Sequence, residues 1–384
     1  KTGYKLPETE KEFNEEFIYE ESGIKKIKNK DKLYRGLKGL VSYYGGSEFD
    51  ITKFPVKQVQ PAVEAEMSDY QYEQWRKARK GETKKETDDF EYNSSRKASD
   101  YPTGACYTRN IKTTVKDLDK YSMKLKLLTE NLNDIKHDGK HFVYSYYKSN
   151  GVNTMIAALE FLGWKHYSIS HLKKNKDISK YKNNSKTFVT LVGDLSSNDK
   201  RTVINAFNHE ANVNSSKIKV LIADRQYKEG VSLLETNYVH VFEPSMSISD
   251  FNQIVARAIR NCSHVRLPYP DKWFVKVFTY FSKKSERIDE TDDITTDYII
   301  SGIAKSRNYL KQEFLKILKE ISIDCVTNKA RNEASITCYR PKSKKKIESN
   351  KINLSKNFTN MHNSRNNTDC LKMNKEDCID NKWC

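Results

Sequence analysis

Five apolar, β-branched runs separated by amphipathic helical stretches restrict the fold of this chain more than any other feature. They are HFVYSYY (141–147), TFVTLVG (187–193), IKVLIAD (218–224), YVHVFEP (238–244) and WFVKVFTY (273–280). Residues 151–162, 198–209 and 249–260 between them carry helical periodicity, and DLDKYSMKLKLLTENLNDIK ahead of the first run is an amphipathic helix. A strand covered on both faces has no solvent side, so it shows a continuous apolar run rather than alternation. The expected fold class is therefore α/β, a doubly wound parallel sheet over residues 116–285, with ligands bound at the carboxyl ends of the strands.

The flanks are expected to be helical. Residues 1–115 read as the end of an upstream region, followed by a linker and an insertion. Within them LYRGLKGLVSYYGG places Leu33, Leu37, Leu40 and Val41 on one helical face before a Gly-Gly stop. A short strand about Val56–Val63 precedes a helix capped by Ser68-Asp69 and running to about Lys80. Residues 81–115, polar and containing Pro102 and Gly104, read as a loop or insertion. Residues 286–330 are expected to form a helical extension built on a long helix over 296–320, with Tyr298, Ile299, Ile303, Tyr309, Leu310, Phe314, Leu315, Ile317 and Leu318 as its apolar positions. The run DETDD (289–293) reads as a solvated loop. Residues 331–384 are expected to be a basic, flexible linker and a Cys-containing tail. A first residue that is Lys1 and a cysteine pattern that stops at Cys384 lead to the expectation of an excerpt from a longer protein.

The formal net charge of +17 favours an acidic polymer as partner, nucleic acid ahead of a membrane surface, although a genome rich in Lys and Asn codons produces the same excess. No stretch approaches the ~18 consecutive apolar residues of a membrane-spanning helix. Of seven cysteines, Cys106, Cys262 and Cys325 sit singly in ordinary globular sequence and suit reduced thiols. Cys370, Cys378 and Cys384 begin either a zinc-binding or a disulfide knot, at a spacing that matches no C-x2-C pattern, and His362 reads as solvated. No metal-binding residue is assigned.

Chemistry concentrates in three places. In NQIVARAIRNCSH (252–264), Gln253, Arg257 and Arg260 lie four and three apart, which on a helix puts both guanidiniums on one face. Planar guanidinium forks meet phosphate oxygens bidentately and stabilise charge developing at a γ-phosphate. The apolar neighbours Ile254, Val255, Ala256, Ala258 and Ile259 argue that these arginines are not a merely solvated face. In KVLIADRQYKEGVSLLETNYVHVFEP (219–244), Gly230 permits a close turn between two strands, and such a turn offers backbone N–H groups to phosphate or ribose. In GKHFVYSYYKSNG (139–151), Lys148, Asn150 and Gly151 open a helix whose N-terminus suits a backbone phosphate, with an ordinary strand-to-helix turn the equal alternative. Gly139-Lys140 is no phosphate loop, because Asp134 stands where G-x-x-x-x-G-K-[ST] needs its first Gly. That motif and an acidic D-E-x-[DH] strand end occur nowhere in the chain, so only half of an NTPase site is expected in it.

In this order the segments resemble the second RecA-like domain of superfamily 2 helicases, whose motifs IV, V and VI such turns and arginines would be. LKGLVSYYGG, EMSDYQYEQWRKAR and EGVSLLETNYVHVFEPSMSISDFNQIVARAIRNCSH look more closely like the helicase-related ATPases of nucleocytoplasmic large DNA viruses, the group of the poxvirus nucleoside triphosphate phosphohydrolase I and the early transcription factor small subunit. DITTDYIISGIAKSRNYLKQEFLKILKEISIDC (293–325) is similar to the region after motif VI in giant-virus members. The resemblance covers roughly residues 33–325. It implies that Gln253, Arg257 and Arg260 face a nucleotide held by another domain, Arg260 as arginine finger. It further implies that Glu229, Gly230 and Ser232 couple nucleotide to the bound strand, and that Tyr144, Ser145 and Lys148 touch that strand. Asp224 departs from the Thr or Ser common before motif V, which puts its contact to nucleic acid in doubt. ATP and Mg are the implied cofactors, mostly held by the domain with the phosphate loop. DNA or RNA, and viral RNA polymerase or transcription factors, are the implied partners, without a membrane. The implied setting is the virion or the host cytoplasm and viral factory, intracellular and reducing. Two alternatives stay open: a non-catalytic docking module of a transcription complex, and a basic nucleic-acid-binding protein with no motor.

Overall fold

The computed structural model describes residues 4–21, 24–43, 54–82, 92–102, 108–228, 230–285, 294–327 and 336–339. DETDD (289–293), His362, Cys370, Cys378, Cys384, Cys106 and Glu229 lie outside the described residues. The chain divides into two compact units, one of residues 1–53 and 304–381 and a larger one of residues 54–303 with 382–384.

In chain order the smaller unit opens with helix α1 (Glu10–Phe17), a two-stranded antiparallel pair β1 (Ile18–Glu21) and β2 (Ile24–Ile27), and helix α2 (Lys30–Leu37). Helix α1 starts at a reciprocal capping box, in which the Thr9 hydroxyl accepts from the Glu12 amide and the Glu12 carboxylate accepts from the Thr9 amide. Leu33 is buried as its helical position requires, but α2 stops before Leu40, which is 76% exposed and leaves the face expected for it.

The larger unit begins with β3 (Val56–Val59) and β4 (Val63–Glu66), then α3 (Asp69–Lys80) and α4 (Asn93–Asp100). Ser68 caps α3 by accepting from the Gln71 amide. One strand was expected over 56–63; Pro61, which cannot donate to a ladder, separates two instead. Helix α4 and a further helix at Thr108–Thr114 replace the loop expected over 81–115. The helix expected ahead of the first core strand is broken at Ser122, which caps α5 (Met123–Asn133) by accepting from the Leu125 amide.

The remaining elements alternate: β5 (Lys140–Tyr144), α6 (Asn153–Phe161), β6 (Lys165–His166), α7 (Ile169–Lys174), β7 (Thr187–Leu191), α8 (Ser197–Asn208), β8 (Val220–Ala223), β9 (Thr236–Val241), α9 (Ile248–Val255) and β10 (Phe274–Lys283). All sheet pairings in this unit are parallel, in the order β3-β10-β9-β5-β8-β7-β6, with β4 following β3 along β10. The five expected strands are all present, and β6 is a two-residue edge strand too short to leave a run in the sequence. Because β3 and β4 join this sheet, its unit starts near residue 54 rather than 116. Alternate side chains fill two separate cores, as the period of a strand dictates. Phe142, Leu221, Val239 and Val277 point into one, and Val143, Ile222, Tyr238 and Phe278 into the other. This is a doubly wound α/β fold.

Helix α10 (Thr296–Ile321) is longer than the expected 296–320 by one residue. Ile317 and Ile321 bury with Phe17, Ile27 and Leu33 in the core of the smaller unit. Cys325 is paired with Cys338 in a disulfide, with Cα atoms 5.6 Å apart, and Cys262 is disulfide-bonded as well. The expectation of free thiols at Cys262 and Cys325 is thereby corrected; proximity in the fold pairs cysteines whose sequence neighbourhoods look unremarkable.

Candidate nucleotide and nucleic-acid interface

Strand β5 lies between β9 and β8, and the chain leaves β5 toward β6 but leaves β9 toward β10. Connections that diverge from neighbouring parallel strands open a crevice at their carboxyl ends. A cleft lies there, lined by Tyr144 at the end of β5 and Tyr146 after it, Arg225, Gln226 and Lys228 after β8, and Glu243 to Met246 after β9. It continues into a larger cavity of about 880 Å³ that adds Lys97, Tyr147, Lys148, Asp194 and Asp224. Arg96 lines both.

The acidic groups of the cleft are largely consumed by the scaffold. Glu243 is buried, accepting from the Ser145 hydroxyl at 2.5 Å and from the Tyr146 amide at 2.9 Å, so it fixes the turn after β5. The buried Asp224 carboxylate accepts from the Gly193 amide at 2.7 Å and the Gln226 amide at 3.0 Å, capping the short helical turn Arg225–Tyr227. Asp250 pairs with Lys228 at 2.7 Å. The cations Arg96, Lys97, Lys148 and Arg225 make no ion pair with any described residue.

Of the strand-contact residues expected from sequence, Tyr144 and Lys148 line the cleft, Lys148 with an exposed side chain. Burial raises the Tyr144 phenol above its ordinary pKa, so it stays a protonated donor. Ser145 is fully buried and spends its hydroxyl on Glu243 and the Tyr147 carbonyl. Residues Lys148–Val152 form a wide π-type turn before α6, and a Cβ on Gly151 would lie 1.8 Å from Ser145 Oγ. The glycine is required for this close approach. Asn150 points inward, donating to the Tyr101 carbonyl at 2.7 Å.

The arginine block is arranged differently from the helical face expected over 249–260. Helix α9 ends at Val255, Arg257 lies in the following turn, and Arg260 lies beyond it. The arginines therefore follow the C-terminus of α9 and do not open a helix. Cations are favoured at that negative end of the helix dipole. The guanidiniums still come together, because Arg257 Nη1 and Arg260 Nη2 each donate to the Val231 carbonyl at 3.4 Å. Arg257 Nε also donates to the Gln253 carbonyl at 3.0 Å, and the Leu233 amide donates to the Arg257 carbonyl at 2.9 Å. The segment after Gly230, at φ +72°, is thus tied to the arginine turn by backbone groups, and Ser232 is tied to α8 by its carbonyl, which accepts from Asn208 Nδ2. Gln253 Oε1 and Arg260 Nε are buried without a hydrogen-bond partner. Arg260 makes no ion pair with a described residue. Orphaned polar atoms beside two converging guanidiniums suit the oxygen-rich surface of a phosphate chain.

Residues 123–262 match the helicase conserved C-terminal domain. That stretch of the chain is a helicase C-terminal domain. Among curated relatives, two mimivirus (Acanthamoeba polyphaga mimivirus) proteins named as ATP-dependent RNA helicases are 28% and 29% identical over 204 and 337 residues, covering 52% and 81% of this chain. A termination factor NPH-I homolog of African swine fever virus is 26% identical over 363 residues, covering 78% of this chain. The chain spans 23%, 54% and 51% of those three relatives, about half their length or less. No helix among the described residues is long and apolar enough to cross a membrane.

Arg96, Lys97, Arg225, Lys228 and Glu243 were missed in the sequence. Arg225 and Lys228 follow Asp224 in a turn that the sequence singles out, and Glu243 closes a buried strand, so all three are legible in it. Arg96 was not, since its segment reads as a polar loop.

Proposed function

We propose that this chain is the second half of an ATP-driven motor that moves on nucleic acid, serving viral transcription. The observation that carries the reading is the Arg257–Arg260 turn, where Arg260 holds an unpartnered Nε and no carboxylate. In this reading Arg260 is the arginine finger, Arg257 and Gln253 contact the phosphate chain, and the Gly230 turn with Glu229 and Ser232 reports nucleotide state to the strand cleft. Tyr144 and Lys148 contact the strand. Ser145 and Asp224 act through the turns they hold, as positioning residues. ATP with magnesium supplies the phosphoryl group whose transfer drives the motion, and a phosphate-loop domain holds most of it. The relative named as a termination factor supports a place in transcription, and those named as RNA helicases support action on nucleic acid.

The test is ATP hydrolysis by this chain together with a phosphate-loop domain, stimulated in turn by single-stranded DNA, duplex DNA and RNA. Arg260→Ala is expected to lower turnover by roughly 10³–10⁵-fold while leaving strand affinity within about twofold. Equal losses of affinity and turnover would favour a basic binding protein without a motor. Wild-type turnover in Arg260→Ala would remove the finger assignment.

A further inference from the structure

Helix α4 lies ahead of residues 123–262, outside the matched helicase domain. It is nevertheless built into the sheet unit by buried polar contacts. Gln71 Nε2 donates to the Ser99 carbonyl at 3.0 Å, Ser122 Oγ to the Asp100 carbonyl at 2.6 Å, and Lys124 Nζ to Asp100 Oδ1 at 2.8 Å. It packs against α3 and against the Lys148–Val152 turn. So anchored, α4 sends Arg96 into the cleft.

Arg96 is only 7% exposed. One guanidinium nitrogen donates to the Pro244 carbonyl at 3.2 Å, and Nε has no hydrogen-bond partner. The guanidinium carbon lies 5.0 Å from the Tyr146 ring centroid and 5.5 Å from that of Tyr147. Arg225, from the turn after β8, reaches the same Tyr146 ring at 5.4 Å, and Lys97 Nζ lies 5.5 Å from the Tyr147 ring. Two guanidiniums are thus gathered at one aromatic ring, with the nearby carboxylates already spent on backbone amides, a serine and Lys228. Burial works against the Arg96 charge while Tyr147, Glu243, Asp100 and Asp297 support it through space, but none of them takes its Nε donor, and a buried donor left without an acceptor is costly. The tyrosine rings hold the guanidinium planes by cation–π contact and reduce what is lost when the forks engage a ligand.

We propose that Arg96 and Arg225, held against Tyr146, clamp one backbone phosphate of a nucleic-acid strand, so that a helix outside the helicase domain forms part of the strand-binding surface. The inference rests on the strand-binding reading of the cleft given above. A phosphodiester strand suits the site better than a carboxylate ligand, because the cavity of about 880 Å³ is lined by two further cations, Lys97 and Lys148, for neighbouring phosphates of the same strand.

The experiment is fluorescence anisotropy of the full 384-residue chain with a labelled oligo-deoxythymidine across a salt series. Arg96→Gln and Arg225→Gln are each expected to weaken binding about tenfold or more, and together to reduce the slope of log affinity against log salt by roughly 0.7, the value for the one single-strand phosphate they share. Arg96→Lys keeps the charge but loses the fork, so it is expected to keep the slope and still bind several-fold more weakly. That variant carries the test should Arg96→Gln lose its fold by circular dichroism. Wild-type affinity in Arg96→Lys, with Arg225→Gln or Lys148→Gln still weakened, overturns the clamp and leaves the strand cleft standing. Failure of the unsubstituted chain to bind the oligonucleotide overturns both.

Discussion

Two sets of cations in the sheet unit have different surroundings. Lys124 is fully buried between Asp100 at 2.8 Å and Asp297 at 2.7 Å, and Asp297 also accepts from the Ser282 amide. Burial works against its charge, but the two carboxylates outweigh it and raise its pKa above the ordinary lysine value. Lys140 meets Glu235 at 3.1 Å, and Arg266 clasps the same carboxylate through two nitrogens, each at 2.7 Å. In the cleft, Arg96 makes no ion pair: burial works against its charge, and Tyr147, Glu243, Asp100 and Asp297 support it only through space, while Lys97, Lys148, Arg225 and Arg260 make no ion pair with a described residue either. A cation matched by carboxylates has no charge left for a ligand; it holds elements together. One that makes no ion pair keeps donors free for an anion. The same residue types are thus sorted into scaffold and site by what faces them.

The sharpest way to break this division is to substitute one member of each set. Lys124→Ala strands two buried carboxylates and is expected to cost about 3–5 kcal/mol in denaturant unfolding. Lys148→Ala, in the cleft, is expected to change stability by less than about 0.5 kcal/mol and to weaken strand binding. Similar stability losses for both would erase the distinction.

A second measurement concerns buried histidines. His141 Nδ1 and His240 Nε2 lie 2.9 Å apart, and His240 Nδ1 is 2.8 Å from the Tyr280 hydroxyl, which accepts from Asn131. Burial lowers His240 from 6.5 to about 3 and His264 from 6.5 to about 4. The unfolded chain therefore takes up protons first. Stability from these groups is fully present above pH 6.5 and is lost as pH falls toward 4, at about 1.4 kcal/mol per pH unit for each histidine. Denaturant midpoints that stay level between pH 7 and pH 5 would contradict this.

The smallest expected effect separates surface pairs from cleft cations. Lys272 pairs with Asp138 at 2.7 Å on the surface. Lys272→Ala is expected to leave the salt slope of oligonucleotide binding unchanged, whereas replacing Arg96 and Arg225 together reduces it by roughly 0.7. A common reduction would mean that net charge alone attracts the strand.

How much of this was legible beforehand follows from the range of each interaction. The strands at 141–147, 187–193, 218–224, 238–244 and 273–280 announced themselves through local apolar runs, and Ser68 announced the start of α3. Gln253, Arg257 and Arg260 were found by spacing, although the helix supposed to align them ends at Val255. What aligns them is the Val231 carbonyl, more than twenty residues away, as their two hydrogen bonds show.

The sequence alone determined the α/β alternation, the parallel sheet and the candidate arginines, because periodicity and composition are local properties of the chain. Only the tertiary structure decided which charges are neutralised. It paired Lys124 with Asp297 across 173 positions and buried Ser145 and Asp224 as turn-holders. It also brought Arg96 beside Tyr146 and Arg225 at the mouth of the sheet. Coulomb and hydrogen-bond energies depend on distance in space, and spacing along a chain does not report that distance once residues lie beyond a helical turn or a strand pair.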